Sequence, residues 1–245
     1  MKESNKGDKA NSSYNLEPLP ISNEDILFCI DIDPQSITRF DAIKQSILLF
    51  VNAKLTINPQ HRFAFATLSN SVSLLMKEFS SEVESTIAAM RGFSATTSTT
   101  QPDLTTLFQL AAREARKSRT QGRILRVILF YCRSAVRPQH HWLVSQKLFT
   151  LDIMYLCDKP GPDNCPQQVY DTLVQTLEHV SNYPGYIFES GPGSEKVLFV
   201  HVLILLSHPQ QRCVQEYLDI PKSLAKKEGS SGGANIHPFK MIWPF

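Results

Sequence analysis

From residue 21 to about residue 213, apolar runs of strand length alternate with stretches whose apolar residues recur every three or four positions. No other feature limits the fold as tightly. Ile26 to Ile32 is the first run, continuously apolar before Asp31 and Asp33, as a strand covered on both faces requires. Phe40, Ile43, Ile47, Phe50, Val51 and Leu55 then follow at helical spacing. Phe63 to Ala66 and Val72 to Met76 read as two short strands joined by a Ser69-Asn70-Ser71 turn. Val83, Ile87 and Met90 mark a second helix, and Leu104, Leu107, Phe108, Ala111 and Ala115 a third. Ile124 to Tyr131 and Leu151 to Leu156 are buried strands, with a short helix expected over Trp142 to Leu148. Pro166 suits the first turn of a helix carrying Val169, Leu173, Leu177 and Val180 inward. Tyr186 to Phe188 is the last strand and Val197 to Leu206 the last helix. The spacings Thr38/Asp41 and Ser81/Glu84 predict capping boxes at two helix starts.

This order predicts an α/β fold: three layers, doubly wound, around a mostly parallel six-stranded sheet with one antiparallel edge strand. The domain is expected to span 21–213. Residues 1–20 read as a flexible arm, and 214–245 as a Lys/Gly/Ser linker with an aromatic tail.

Composition removes several function classes. A chain of 245 residues with a net charge of +2 does not advertise nucleic-acid or membrane binding. Its longest apolar stretch, Val197 to Leu206, is about half of the ~20 residues a membrane span needs. The five cysteines are scattered without a CxxC pair, so reduced thiols in the cytosol or nucleus are expected. No nucleophile–base–orienter set, metal-ligand histidine pair or phosphate loop is present, so neither an enzyme nor a cofactor is expected.

Chemistry in such a sheet belongs at the carboxyl ends of strands. The first is Asp31-Ile32-Asp33-Pro34-Gln35-Ser36, where two carboxylates one residue apart suit an Mg2+ site. With the Thr-rich loop at 94–100, this resembles a von Willebrand factor A (VWA) domain. That family's metal site uses D-x-S-x-S, a loop Thr and an Asp ending the fourth strand. Asp31 matches the first Asp and Thr99 or Thr100 can stand for the loop Thr, but Asp33 and Gln35 replace the serines. Arg133 lies where the fourth strand ends. A degenerate site (Asp31, Asp33, Thr99) that holds no metal is therefore expected, its Asp side chains capping the first helix and its turn.

The chain is also similar to the VWA-like adaptor subunits of the BRISC deubiquitinase complex and its BRCA-type nuclear sister complex. Ile26 to Asp31, Ser98-Thr99, Leu107-Phe108 and Val127 to Arg133 carry the likeness, and Leu205-Leu206-Ser207-His208-Pro209-Gln210-Gln211-Arg212-Cys213 is its most specific part, close to the family's LLxHPxQR ending. The resemblance implies a non-catalytic scaffold, cytoplasmic and nuclear, with a role in the DNA damage response. It would dock an E2-variant-fold subunit and, through it, a metalloprotease-type deubiquitinase for lysine-63-linked ubiquitin together with that enzyme's scaffold partner. The alternatives are an Mg-dependent ligand-binding A domain and a ubiquitin-receptor A domain of the proteasome type.

The expected partner surface is the last helix with its exit. It comprises Val202, Leu203, Leu206, His208, Pro209, Gln211 and Arg212, with Phe239, Trp243 and Phe245 of the tail. Val197 to Leu206 is apolar all round, so it must be buried on every side or covered by another chain. Arg113, Arg116, Lys117, Arg119, Arg123 and Arg126 form the strongest charge cluster, expected as a solvated face.

Overall fold

The computed structural model describes residues 21–32, 39–76, 78–93, 101–142 and 147–220. Among them the strands are β1 (Asn23–Asp31), β2 (Arg62–Leu68), β3 (Val72–Leu74), β4 (Arg123–Tyr131), β5 (Thr150–Leu156) and β6 (Ile187–Ser190). The α-helices are α1 (Phe40–Ile57), α2 (Val83–Arg91), α3 (Thr105–Thr120), α4 (Pro166–Val180) and α5 (Glu195–Ile204), followed by a 3-10 turn at Gln215–Tyr217. The strands form one sheet in the order β3-β2-β1-β4-β5-β6. Every pairing is parallel except β2 with β3, which makes β3 the antiparallel edge, as the sequence predicts.

The two-residue period of the strands sorts the core into two layers. Ile26, Phe28, Ile30, Ile128 and Phe130 face α1, α2 and α5. Leu27, Cys29, Val127, Leu129 and Tyr131 face α3 and α4. Phe28 anchors the first layer, stacked on Phe65 at 5.4 Å and edge-on to Phe50 at 5.6 Å between ring centres. Burying each such ring contributes about 1.5–3 kcal/mol.

Several local expectations need correction. Glu82, not Ser81, holds the N-cap position of α2, and its N–H is taken by the Ser80 hydroxyl at 3.1 Å, so no capping box forms there. The cap of α1 is Arg39, and Thr38 lies outside the described residues. The helix expected over Trp142 to Leu148 falls mostly outside them too, and the ends that are described are not helical. Ordered structure also runs past the expected boundary at 213: Leu218 and Ile220 pack against the first core layer.

Gly185 lies where the chain enters β6. A Cβ built there would stand 2.1 Å from the Leu151 carbonyl oxygen, a backbone atom of β5 that cannot turn aside. Gly185→Ala is therefore expected to destabilise the protein by about 1–3 kcal/mol, the cost of overpacking. Urea unfolding monitored by circular dichroism measures it, and an unchanged midpoint would show that the two strands can separate there.

Candidate functional site

The chain winds outward from β1 in one direction and from β4 in the other, so the ligand crevice of this topology lies between their carboxyl ends. Asp31 is the last residue of β1 and is fully buried. Its Oδ1 receives Arg133 Nε at 3.0 Å and pairs with Nη2 at 3.0 Å. Its Oδ2 receives the Cys132 N–H at 3.2 Å. Arg133 also donates to the Ser69 carbonyl at 2.7 Å, which ties the β2 loop to the same point. A fixed guanidinium thus occupies the carboxylate a divalent cation would need and repels that cation besides. Among the described residues, the Arg133–Asp31 pair does not fit the Mg2+ site the fold implies. Asp31 thus reaches across to the end of β4, and the turn that the sequence expects it to cap, 33–38, lies outside the described residues. Asp33 and Thr99 lie outside the described residues. Farther along the rim, Arg39 donates to the Leu156 carbonyl and pairs with Asp158.

At the opposite end, the segment after α5 crosses the amino ends of the strands. His208 Nε2 donates to the Ser22 carbonyl at 2.9 Å, and the Ser22 N–H donates to Gln210 Oε1 at 2.9 Å. Arg212 forks onto Asp152 of β5, with Nη1 2.6 Å from Oδ1 and Nη2 3.3 Å from Oδ2. Asp152 also accepts Arg126 Nε at 2.6 Å and the Tyr186 N–H at 2.7 Å. Arg126 Nη1 reaches Glu24 at 3.3 Å, and Glu24 in turn pairs with Lys54 of α1. Glu24, Arg126 and Asp152 are wholly buried, so each charge depends on the next for its solvation. Arg126 Nη2 and Arg212 Nε lack hydrogen-bond acceptors. Their guanidinium groups lie 5.6 Å from the Phe50 ring centre and 4.4 Å from that of Tyr186, so π faces receive them instead.

Arg212, His208 and Pro209 were expected to face a partner. The structure turns them onto their own chain: His208 and Pro209 are buried and the Arg212 side chain has no exposed area. Val202 is likewise a core residue. The basic cluster is also smaller than its sequence suggests. Arg126 is internal and Arg123 is held on Asp25 at 2.7 Å, while Arg113 and Lys117 pair with Glu114 at 3.0 Å. Asp152 and Arg126 were missed as a pair, although a lone charge in a strand apolar on both faces is a signal that a buried counter-ion exists.

What stays open of the predicted surface is the outer face of α5. Leu198 and Val202 are buried, as is Leu205 just beyond the helix, but Leu203 is 45% exposed. Phe199, Val200, Ile204 and Leu206 are half-buried, and Gln211 is exposed. Phe239, Trp243 and Phe245 lie outside the described residues. No helix among the described residues is long and apolar enough to cross a membrane.

Sheet order, helix placement and the crevice at the β1/β4 ends define a fold of the von Willebrand factor A type. Solved structures agree. A von Willebrand factor type A protein from Catenulispora acidiphila superposes with a TM-score of 0.55 at 14% identity over 76% of this chain, which spans 42% of that one. The TFIIH p34 N-terminal domain gives 0.52 at 13% identity, covering 74% of this chain and 97% of that domain. The SpRpn10 VWA domain gives 0.50 at 15%, covering 78% of this chain and all of that domain. No family model and no curated protein matches the sequence.

Two outcomes follow from these geometries. Arg133→Ala leaves a buried carboxylate without its guanidinium and is expected to cost about 3–5 kcal/mol in chemical unfolding; an unchanged stability would mean that Asp31 is solvated in some other way. Acid is expected to unfold the protein early. Burial pushes His61 and His201 down to about 4, so between pH 6.5 and 4 the unfolded chain takes up protons that the folded one refuses. Stability then falls as pH falls, by up to about 1.4 kcal/mol per pH unit for each imidazole. Burial alone would raise Glu24 and Asp152, but Arg126, with Lys54 and Arg212, outweighs it and holds both below the usual carboxylate range. Their contribution is present above about pH 4 and is lost on further acidification. Thermal melts at pH 7.5, 6, 5 and 4 test the slope; a flat profile from 6.5 to 4 would contradict it.

Proposed function

We propose that this chain is a non-catalytic scaffold subunit of a lysine-63-ubiquitin deubiquitinase complex, docking an E2-variant-fold subunit through the outer face of α5. In this reading it works in the cytoplasm and nucleus and contributes to the DNA damage response, while the isopeptidase chemistry resides in a metalloprotease-type partner polypeptide. The observation that carries it is the Arg133–Asp31 pair, which holds the carboxylate at the end of β1 on its own chain. With that carboxylate held by its own chain, recognition is left to the surfaces, and among the described helices the least polar is α5. Its exposed Leu203 and half-buried neighbours carry no charge from Val197 to Leu206. The similarity of the 205–213 segment to the BRISC adaptor ending supports the same assignment, with one revision. His208 and Arg212 hold α5 and its exit in place, and the docking face is Leu203 with its neighbours.

Affinity purification of the tagged full chain from cells, followed by mass spectrometry, is expected to recover E2-variant and metalloprotease subunits. Leu203→Asp puts a charge in the centre of the apolar face without touching the core. It is expected to cut that recovery by about tenfold or more, the equivalent of ~1.4 kcal/mol, with the thermal midpoint unchanged. Full recovery by the folded variant would remove α5 as the docking face. Calorimetric titration with Mg2+ is expected to be silent. Saturable binding abolished by Asp31→Ala would favour a metal-dependent ligand-binding domain instead.

A further inference from the structure

The outer edge of β6 carries a contact that the scaffold reading does not use. β6 ends the sheet, with β5 on one side and no strand among the described residues on the other. The carbonyls of Tyr186 and Ser190 accept the N–H groups of Ile153 and Cys157, at 2.8 and 3.0 Å. By strand alternation, Ile187 and Glu189 turn their backbone groups away from the sheet. At Ile187 those groups are taken by one side chain. Gln215 Oε1 accepts the Ile187 N–H at 2.8 Å, and Gln215 Nε2 donates to the Ile187 carbonyl at 2.7 Å. The carboxamide thus makes the donor-and-acceptor pair that a residue of an added strand would make. It is delivered by the 3-10 turn at Gln215–Tyr217, three residues beyond Arg212 and its ion pair with Asp152.

We propose that the outer edge of β6 is a strand-pairing surface that Gln215 holds closed, and that the occupant it fits when released is the same edge of a second copy of this chain. Unpaired strand edges are templates for other strands, and proteins block them with short edges, charges or covering segments. β6 is self-complementary for such pairing. A two-fold axis through Phe188 sets Ile187 of one copy opposite Glu189 of the other. Both residues direct their backbone groups outward, so four inter-chain hydrogen bonds close. In that register each Glu189 faces an isoleucine rather than the other Glu189, and like charges are not set opposite one another. Gln215 therefore acts as a guard, and the segment after Arg212 is part of the domain because it carries that guard.

The test uses the full chain in three forms: wild type, Gln215→Ala and Gln215→Ala/Glu189→Pro. Wild type is expected to be a 27.7 kDa monomer by light scattering, with the Ile187 amide protected from exchange. Gln215→Ala is expected to lose that protection at low concentration and to rise toward twice the monomer mass as concentration increases. Proline at 189 removes an outward N–H that β5 does not use, so the double variant is expected to return to monomer. Gln215→Glu accepts the Ile187 N–H but cannot donate to its carbonyl, so it serves as a milder opening should Gln215→Ala fail to fold, and partial association is expected. Monomeric behaviour of a folded Gln215 variant overturns the proposal. So does equal association by wild type, or association that proline at 189 leaves unchanged.

Discussion

Arg126 has no contact with water, yet it lies between the carboxylates of Glu24 and Asp152 and bridges β1, β4 and β5 at their amino ends. Much of the architecture depends on that bridge. All three side chains stand on the face that packs against α1, and Lys54 reaches in from that helix to complete the Glu24 side. A slip of one residue in the β4 register would carry Arg126 to the opposite face, among the apolar residues of α3 and α4, with no counter-ion. Hydrophobic patterning tolerates many sheets of this kind; a buried cation between two fixed anions tolerates one alignment. The same bridge reaches outward. Asp152 also binds Arg212, and Arg212 fixes the segment that follows α5. The closing helix is thus held from below by charge and from the side by Leu198, Val202 and Leu205.

Arginine closes both ends of the sheet, with different consequences. At the amino end, three cations share two carboxylates, and aromatic faces receive N–H groups that lack oxygen acceptors. The result is an internal network in which each charge is held by its neighbours. At the carboxyl end, Arg133 covers Asp31 at the position where the fold's topology would otherwise offer a ligand crevice. In the proposed role, recognition depends on an apolar helix face rather than on the strand ends.

The sheet was legible because both-face burial writes itself as unbroken apolar runs, and the β-β step with its Ser-Asn-Ser turn marks the antiparallel edge. The replacement of a terminal Asp by Arg133 was legible for the same reason: a charge at a strand end has one crevice to enter. In the 205–213 ending, His208, Pro209 and Arg212 were expected on the surface and lie against their own chain. Histidine and arginine after an apolar helix read as surface residues, because their partners (Ser22 for His208, Asp152 and Tyr186 for Arg212) are distant in sequence and ordinary in type. The guard at Gln215 left no local pattern, since one carboxamide among polar residues signals nothing until the strand edge beside it is known.

These placements separate two tasks that the sequence had merged in one segment. Residues that hold a helix against its own domain need buried counter-ions and acceptors within reach, and His208 and Arg212 have them. In the proposed role, docking needs apolar area still in contact with water, and Leu203 has it. Burial on one side of α5 and exposure on the other are therefore linked. The ion pair to Asp152 fixes the helix exit without using the apolar face, and that leaves Leu203 exposed on the outer side of α5.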